Sequence, residues 1–251
     1  MRKFLILLER EMKSYFYSPV AYIVLCSFLV RTGFNAYTMI AALNKGPTEI
    51  TLVEAFFNNA IFYFAFLPLT PLLTMRLYSE EFKLGTIETL TTAPVNDWQV
   101  VLSKFAGALL FYIVLWVPTV FYFVIFKSVT QESAGQALGA FGGSYLLLLL
   151  IGMFYLSLGC LSSVVTRNQI VAAIIALVFV TVFFFTGLLG YLLGSASQGF
   201  RDFISYFSTI DHMRNFSRGL IDTRAIVFYL TLTFFLQVLT FQIFQFRKWK
   251  S

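Results

Sequence analysis

The sequence predicts an all-α integral membrane protein with six spanning helices, and three observations predict it. Of its 251 residues, 59% are hydrophobic and only 12% charged, whereas a globular domain carries roughly twice that charged fraction. Its 31 Phe and many Leu fall in apolar runs of about 18 residues or more, the length that crosses a bilayer as a helix. The basic residues gather at the ends of those runs, as lipid-embedded helices require. They form no stripe or motif of the kind that nucleic acid binding needs, so the net charge of +6 does not point to DNA or RNA.

The elements follow in order. Residues 1–18 read as an amphipathic helix in the headgroup plane, with Leu5, Leu8, Met12 and Tyr15 on one face and Arg2, Lys3, Arg10 and Lys13 on the other. They lack the small-residue site that follows the apolar core of a cleavable signal. Ser18-Pro19 ends that helix and turns the chain inward. Spans are expected over residues 20–37, 56–75, 105–126, 141–165, 170–193 and 225–246. Six spans put both termini on one side. The N-terminal segment, residues 76–104, Arg167 and the C-terminal tail hold 11 Lys or Arg, against 6 in the three opposite loops. The excess places the termini and residues 76–104 in the cytoplasm.

Residues 76–104 are the only long polar passage in the first half. Arg76 and Glu80 lie four apart, so the second span is expected to continue through them as helix. Gly85 breaks it. Thr86 is placed to cap a new short helix, with Glu88 in its first turn, and Pro94 ends it. Asn96 caps the third span in a capping-box pattern with Gln99. A two-turn helix containing Ile87 and Leu90 does not hold in water alone and leans on something, either headgroups or a soluble partner.

Here the sequence resembles a known family. An acidic pair, Glu80 and Glu81, then Gly85-Thr86-x-Glu88-x-Leu90, then Pro94 and Lys104, is similar to the cytoplasmic signature of ABC-2-type exporter permeases, most of all the gliding-motility-type subfamily. The resemblance covers nearly the whole chain and implies one transmembrane domain over residues 1–251, of the type V exporter kind. It makes residues 1–18 an elbow helix and residues 76–104 a cytoplasmic coupling loop. Glu80, Glu81, Gly85, Thr86, Glu88, Leu90 and Pro94 would then contact an ABC ATPase, present in two copies, which binds the ATP and Mg. This chain itself is expected to carry no cofactor, since it has no Walker A pattern. The function implied is export of a lipidic, glycan or other amphipathic substrate across a bacterial inner membrane, by a permease homodimer in contact with membrane lipids. The alternative is a non-transporting mechanical or signalling complex, and an auxiliary extracytoplasmic subunit is a further candidate partner.

Four further features complete the reading. Arg31 is the one charge inside a span; it either snorkels to the outer headgroups or faces a cavity and meets an anionic substrate. Gly159 and Ser163, and Gly187, Gly190 and Gly194, form small-residue stripes of the kind that bring helices close in lipid. By themselves they fit packing within one subunit; the resemblance makes the second stripe a dimer interface. Residues 194–224 carry two amphipathic patterns (Phe200, Phe203, Ile204, Phe207; Ile210, Met213, Phe216, Leu220). The run Asp211-His212-Met213-x-x-Phe216-x-x-Gly219-x-Ile221-Asp222 resembles the family's extracytoplasmic loop of short helices. His212 is the only histidine, with no Cys nearby, so a metal site is not expected and a cap or interfacial role is. Protease and hydrolase motifs are absent from the sequence, as is any Asp or Glu inside a predicted span, which disfavours ion-coupled transport.

Overall fold

The computed structural model describes residues 2–43, 51–87, 95–130, 138–192 and 198–248, and every regular element among them is a helix. In chain order these are α1 (Arg2–Phe16), α2 (Pro19–Leu43), α3 (Leu52–Phe57), α4 (Ala60–Thr74), α5 (Ser79–Leu84), α6 (Asp97–Thr130), α7 (Leu138–Val165), α8 (Gln169–Leu192), α9 (Gln198–Phe207), α10 (Thr209–Ser217) and α11 (Thr223–Lys248). Six stretches are long and apolar enough to cross a membrane: α2, α4 taken with α5, α6, α7, α8 and α11. The protein is an all-α, multi-pass integral membrane protein.

α7 is the central span. Of its apolar window 78% is buried, against 22% in α8 and 28% in α11, which keep broad outer faces. Small residues let its neighbours reach it. A Cβ on Gly152 would lie 2.3 Å from the Tyr112 ring, and one on Gly159 2.1 Å from Thr74 Oγ1, so α6 and α4 approach α7 only because both positions are glycine. The Gly159–Ser163 stripe therefore packs helices within this chain. Towards the end of the bundle opposite α1, Phe28, Phe56, Phe57, Phe62, Phe66, Trp116, Phe123 and Tyr145 interlock mostly edge to face, with Phe62 tilted on Trp116. Such contacts add roughly 0.5–1.5 kcal/mol per pair beyond area burial.

Two boundaries differ from the sequence reading. Phe56 and Phe57 belong not to the second span but to the separate helix α3. Thr51 caps it through Glu54 N, and Asn58-Asn59 ends it; Asn59 Oδ1 then caps α4 through Ile61 N at 3.2 Å. Nor is the helix continuous through Arg76 to Glu80. α4 stops at Thr74, residues 75–78 form a turn, and α5 restarts the helix. Ser163 makes the break possible: its Oγ accepts from Tyr78 N at 3.1 Å and Ser79 N at 3.2 Å and donates to Met75 O at 3.2 Å. A hydroxyl from α7 thus replaces the intrahelical partners of both helix ends. The capping box at Asn96 is present in part, with Asn96 N donating to Gln99 Oε1 at 3.4 Å.

Inside α4, Pro68 and Pro71 each remove a backbone donor. The carbonyl freed by Pro68 is that of Phe64, and Arg31 Nη1 donates to it at 3.0 Å. Arg31 thus gives one donor to a backbone carbonyl of the neighbouring helix. It clips α2 to α4 and also lines a cavity of about 180 Å³ between them.

Candidate functional site

The polar chemistry of the molecule concentrates at the end that carries α1. There α1 lies across α6 at Gly107, where a Cβ would come within 2.9 Å of Glu11 Cβ. Tyr15 stacks on Phe111 at 5.0 Å, and its hydroxyl donates to Leu73 O at 2.7 Å. The inward face of α1 is therefore Leu7, Glu11 and Tyr15. Leu5, which the sequence places on the apolar face of a headgroup-plane helix, is 59% exposed in the chain, and Leu7 is 8% exposed.

This register carries Glu11 to Lys104, one turn before Gly107 on α6. Lys104 Nζ lies 3.0 Å from Glu11 Oε1 and 2.9 Å from Glu81 Oε1 on α5, with 2% of its side chain exposed. Arg10 Nη2 closes the ring, 2.9 Å from Glu11 Oε1 and 3.0 Å from Glu81 Oε1. Two cations and two carboxylates form an alternating quartet across three helices. Burial raises the Glu11 carboxyl, but Lys104 and Arg10 outweigh it and hold it below the ordinary carboxylate range. The charges stay in place because each is paired.

The same end is fastened to the C-terminus of α11. Lys248 pairs with Asp97 at 2.9 Å, Trp98 stacks on Phe241 at 4.0 Å, and Arg247 donates to Val164 O at 2.6 Å while lying over the Phe82 ring. α5 is thus held from below by α6, α7 and α11. Its outer side, Lys83, Leu84, Gly85 and Thr86, is exposed. Gly85 adopts φ 70° and ends α5, as a residue without Cβ does most easily. Thr86 and Ile87 resume helix, and Ile87 is buried. Glu88, Leu90 and Pro94 lie outside the described residues. Glu80 and Glu81 do not present a free acidic patch: Glu81 is turned inward to the quartet, and Glu80 lines a cavity beside it.

At the opposite end α10 is capped by Ser208, whose Oγ accepts from Asp211 N at 3.1 Å. His212 is accordingly not the cap; it is buried, with Nδ1 3.2 Å from Tyr229 OH on α11. Burial lowers its pKa, while Asp222 and Asp211 oppose the shift. Phe216 is fully buried, and Gly219 at φ 84° closes α10, with Gly219 N bonded to Phe216 O and Leu220 N to Asn215 O. Asp222 Oδ1 accepts from Arg224 N at 2.9 Å and so caps α11. Gly187 faces inward, where a Cβ would meet Ser208 Oγ at 3.2 Å. Gly190 is in α8, and Gly194 lies outside the described residues. Among the described residues no group of His, Cys, Asp and Glu is arranged to hold a metal ion.

Glu11 and Arg10 escaped the sequence reading as site residues. The available signal was Glu11 itself, an acid one turn from Leu7 and Tyr15, together with Lys104 among Val100, Val101 and Phe105 at the start of an apolar run. No curated protein matches the chain. A family model described as ABC-2 family transporter protein matches residues 13–249, which takes in the quartet's Lys104 and Glu81, the α5 segment and all six spans. The family is that of the transmembrane components of ABC transporters, which work with an ABC ATPase. This chain belongs to the ABC-2 family of transporter proteins.

Proposed function

We propose that the chain is the permease subunit of an ATP-driven exporter in a bacterial inner membrane, with the α1 end in the cytoplasm. Two copies work with two copies of a separate ATPase, and the substrate moved outward is lipidic, glycan or otherwise amphipathic. The ATPase docks on the exposed outer side of α5 and the residues that follow, Lys83 to Pro94. The second permease sits against α8, whose Ile174, Val178 and Val182 are exposed. Small residues at Gly190 and Gly194 would allow close approach at its end.

One observation carries this reading. The α5 segment is exposed on one side and ion-paired on the other to α1 and α6, so a push on its outer face is delivered to a surface helix and a span together. Exposed charges in a plain headgroup loop contribute under about 1 kcal/mol, whereas a mismatched charge or polar group in an interface costs several.

The test is co-purification of the ATPase with affinity-tagged permease and measurement of its ATPase rate. Leu84→Asp and Glu88→Lys are expected to lose the ATPase and its stimulation while melting as the unaltered permease does. Glu81→Gln instead lowers the melting temperature, because its carboxylate serves the chain's own Lys104. Full recovery and stimulation with both Leu84→Asp and Glu88→Lys would remove the docking assignment.

A further inference from the structure

Between α1, α2 and α4, beside the quartet, lies a cavity of about 270 Å³, far more than the roughly 10–15 Å³ that one water needs. It sits where the first span begins at Pro19 and where α4 ends at Thr74, the depth of lipid headgroups. Its lining is divided. Ser14, Ser18, Arg76, Glu80 and Glu81 make a polar part beside Glu11 and Lys104, which are already paired in the quartet, and Val20, Ala21, Val24 and Leu72 an apolar part facing the span.

The polar part has both a donor and an acceptor to spare. Arg76 Nη1 donates to Ser18 Oγ at 2.9 Å, but its Nε is buried without a partner in the chain. Glu81 Oε1 is taken by Lys104 and Arg10, but its Oε2 is likewise buried and without a partner. Glu80, on the same wall, forms no ion pair with any described residue. A buried donor or acceptor left in this condition costs roughly 1–3 kcal/mol. An inorganic anion would satisfy Arg76 and oppose both glutamates, and a simple cation would do the reverse. One molecule that brings an acceptor anion and an N–H cation a few bonds apart satisfies both.

We propose that this cavity binds the headgroup of one zwitterionic phospholipid with a primary ammonium, phosphatidylethanolamine. The phosphate oxygens accept from Arg76 Nε, and the ammonium donates to Glu81 Oε2 and Glu80. A quaternary ammonium has no N–H to give and is rejected on that ground. The tail has a track, since Val24 and Leu72 also line the second cavity of about 180 Å³ that continues between α2 and α4 past Phe28 and Leu69. The site does not depend on the transport reading: it holds a lipid whether or not the chain moves one.

The experiment is native mass spectrometry of the full-length protein in detergent. It is offered phosphatidylethanolamine, phosphatidylcholine and phosphatidylglycerol with identical acyl chains, alone or against inorganic phosphate and O-phosphoethanolamine. One phosphatidylethanolamine is expected to be retained with a preference of about tenfold over each of the others, the effect of one charge-assisted hydrogen bond. O-phosphoethanolamine competes and inorganic phosphate does not. Glu80→Gln, which leaves the quartet intact, narrows the preference over phosphatidylcholine, and Arg76→Gln lowers retention of all three. Leu72→Trp, at a position 37% exposed, blocks the tail track without touching any charge and lowers lipid retention but not competition by O-phosphoethanolamine. Equal retention of the three lipids by the unaltered protein, or displacement by inorganic phosphate alone, would overturn the proposal.

Discussion

A lysine with 2% of its side chain exposed keeps its charge only among carboxylates, and Lys104 has two, contributed by helices far away in the chain. Removing it leaves Glu11 and Glu81 facing each other with Arg10 as their only cation. Breaking a buried pair in this way costs about 3–5 kcal/mol, and the lower figure applies because Arg10 remains. Lys104→Met is therefore expected to lower the melting temperature in detergent clearly. Adding Glu11→Gln and Glu81→Gln to it should return most of the loss, since the one charge then left, Arg10, has 49% of its side chain exposed and turns to water. A Lys104→Met protein that melts with the unaltered one would mean the quartet contributes no stability. Arg31 follows the same logic with a different partner: its guanidinium meets not a carboxylate but the Phe64 carbonyl that Pro68 cannot use. In the sequence Arg31 stood out as a charge in a span, while Pro68 drew no reading. That each answers the other shows only once α2 and α4 lie side by side.

The helix ends were the most legible elements, because a cap is a local event. Gly85, and Asn96 with Gln99, end and start helices where the sequence places them. What escaped were the breaks hidden in apolar sequence: α3 from α4 at Asn58-Asn59, and α4 from α5, where the deciding hydroxyl belongs to Ser163 of another helix. α10 offers a test at this scale. It is held to α11 by His212 and Tyr229, and through Glu54–Arg218 at 2.8 Å and Asn58–Ser217 at 3.1 Å it is held to α3. Because burial depresses the His212 pKa, the unfolded chain binds the proton more readily than the folded one. The contribution of this helix is complete above the unfolded value, about 6.5, and is lost as pH falls below it. Melting temperature is expected to drop between pH 7.5 and 5.5, and His212→Phe, which keeps a ring in place, flattens that part of the curve. An unchanged slope in His212→Phe would assign the dependence to other groups.

For the whole molecule the sequence supplied the span count and the family, since both rest on apolar length and local motif. It could not supply the quartet, whose members Arg10 and Glu81 are 71 positions apart and Glu11 and Lys104 93. No periodicity reports on such pairs. Orientation, set by the excess of Lys and Arg, is checked with single cysteines on a Cys26→Ser background, Cys160 being buried. Lys83→Cys is expected to react only with reagent on the cytoplasmic side and Leu220→Cys, 64% exposed in the structure, only with reagent outside. Labelling of both from one side would discard the proposed topology. The bundle is clasped by ion pairs at the α1 end and by α3, α10 and α11 at the other, like a cask hooped at head and foot. A cask so bound does not splay; it changes shape at the waist, wherever a stave is thinnest. The thinnest stave is α4, where Pro68 and Pro71 stand within one turn and the missing rung at Phe64 is bridged by a side chain from the next helix. Bending within this bundle is therefore easiest in α4 about that stretch, where the prolines leave the helix short of backbone bonds and Arg31 holds the Phe64 carbonyl from the next helix.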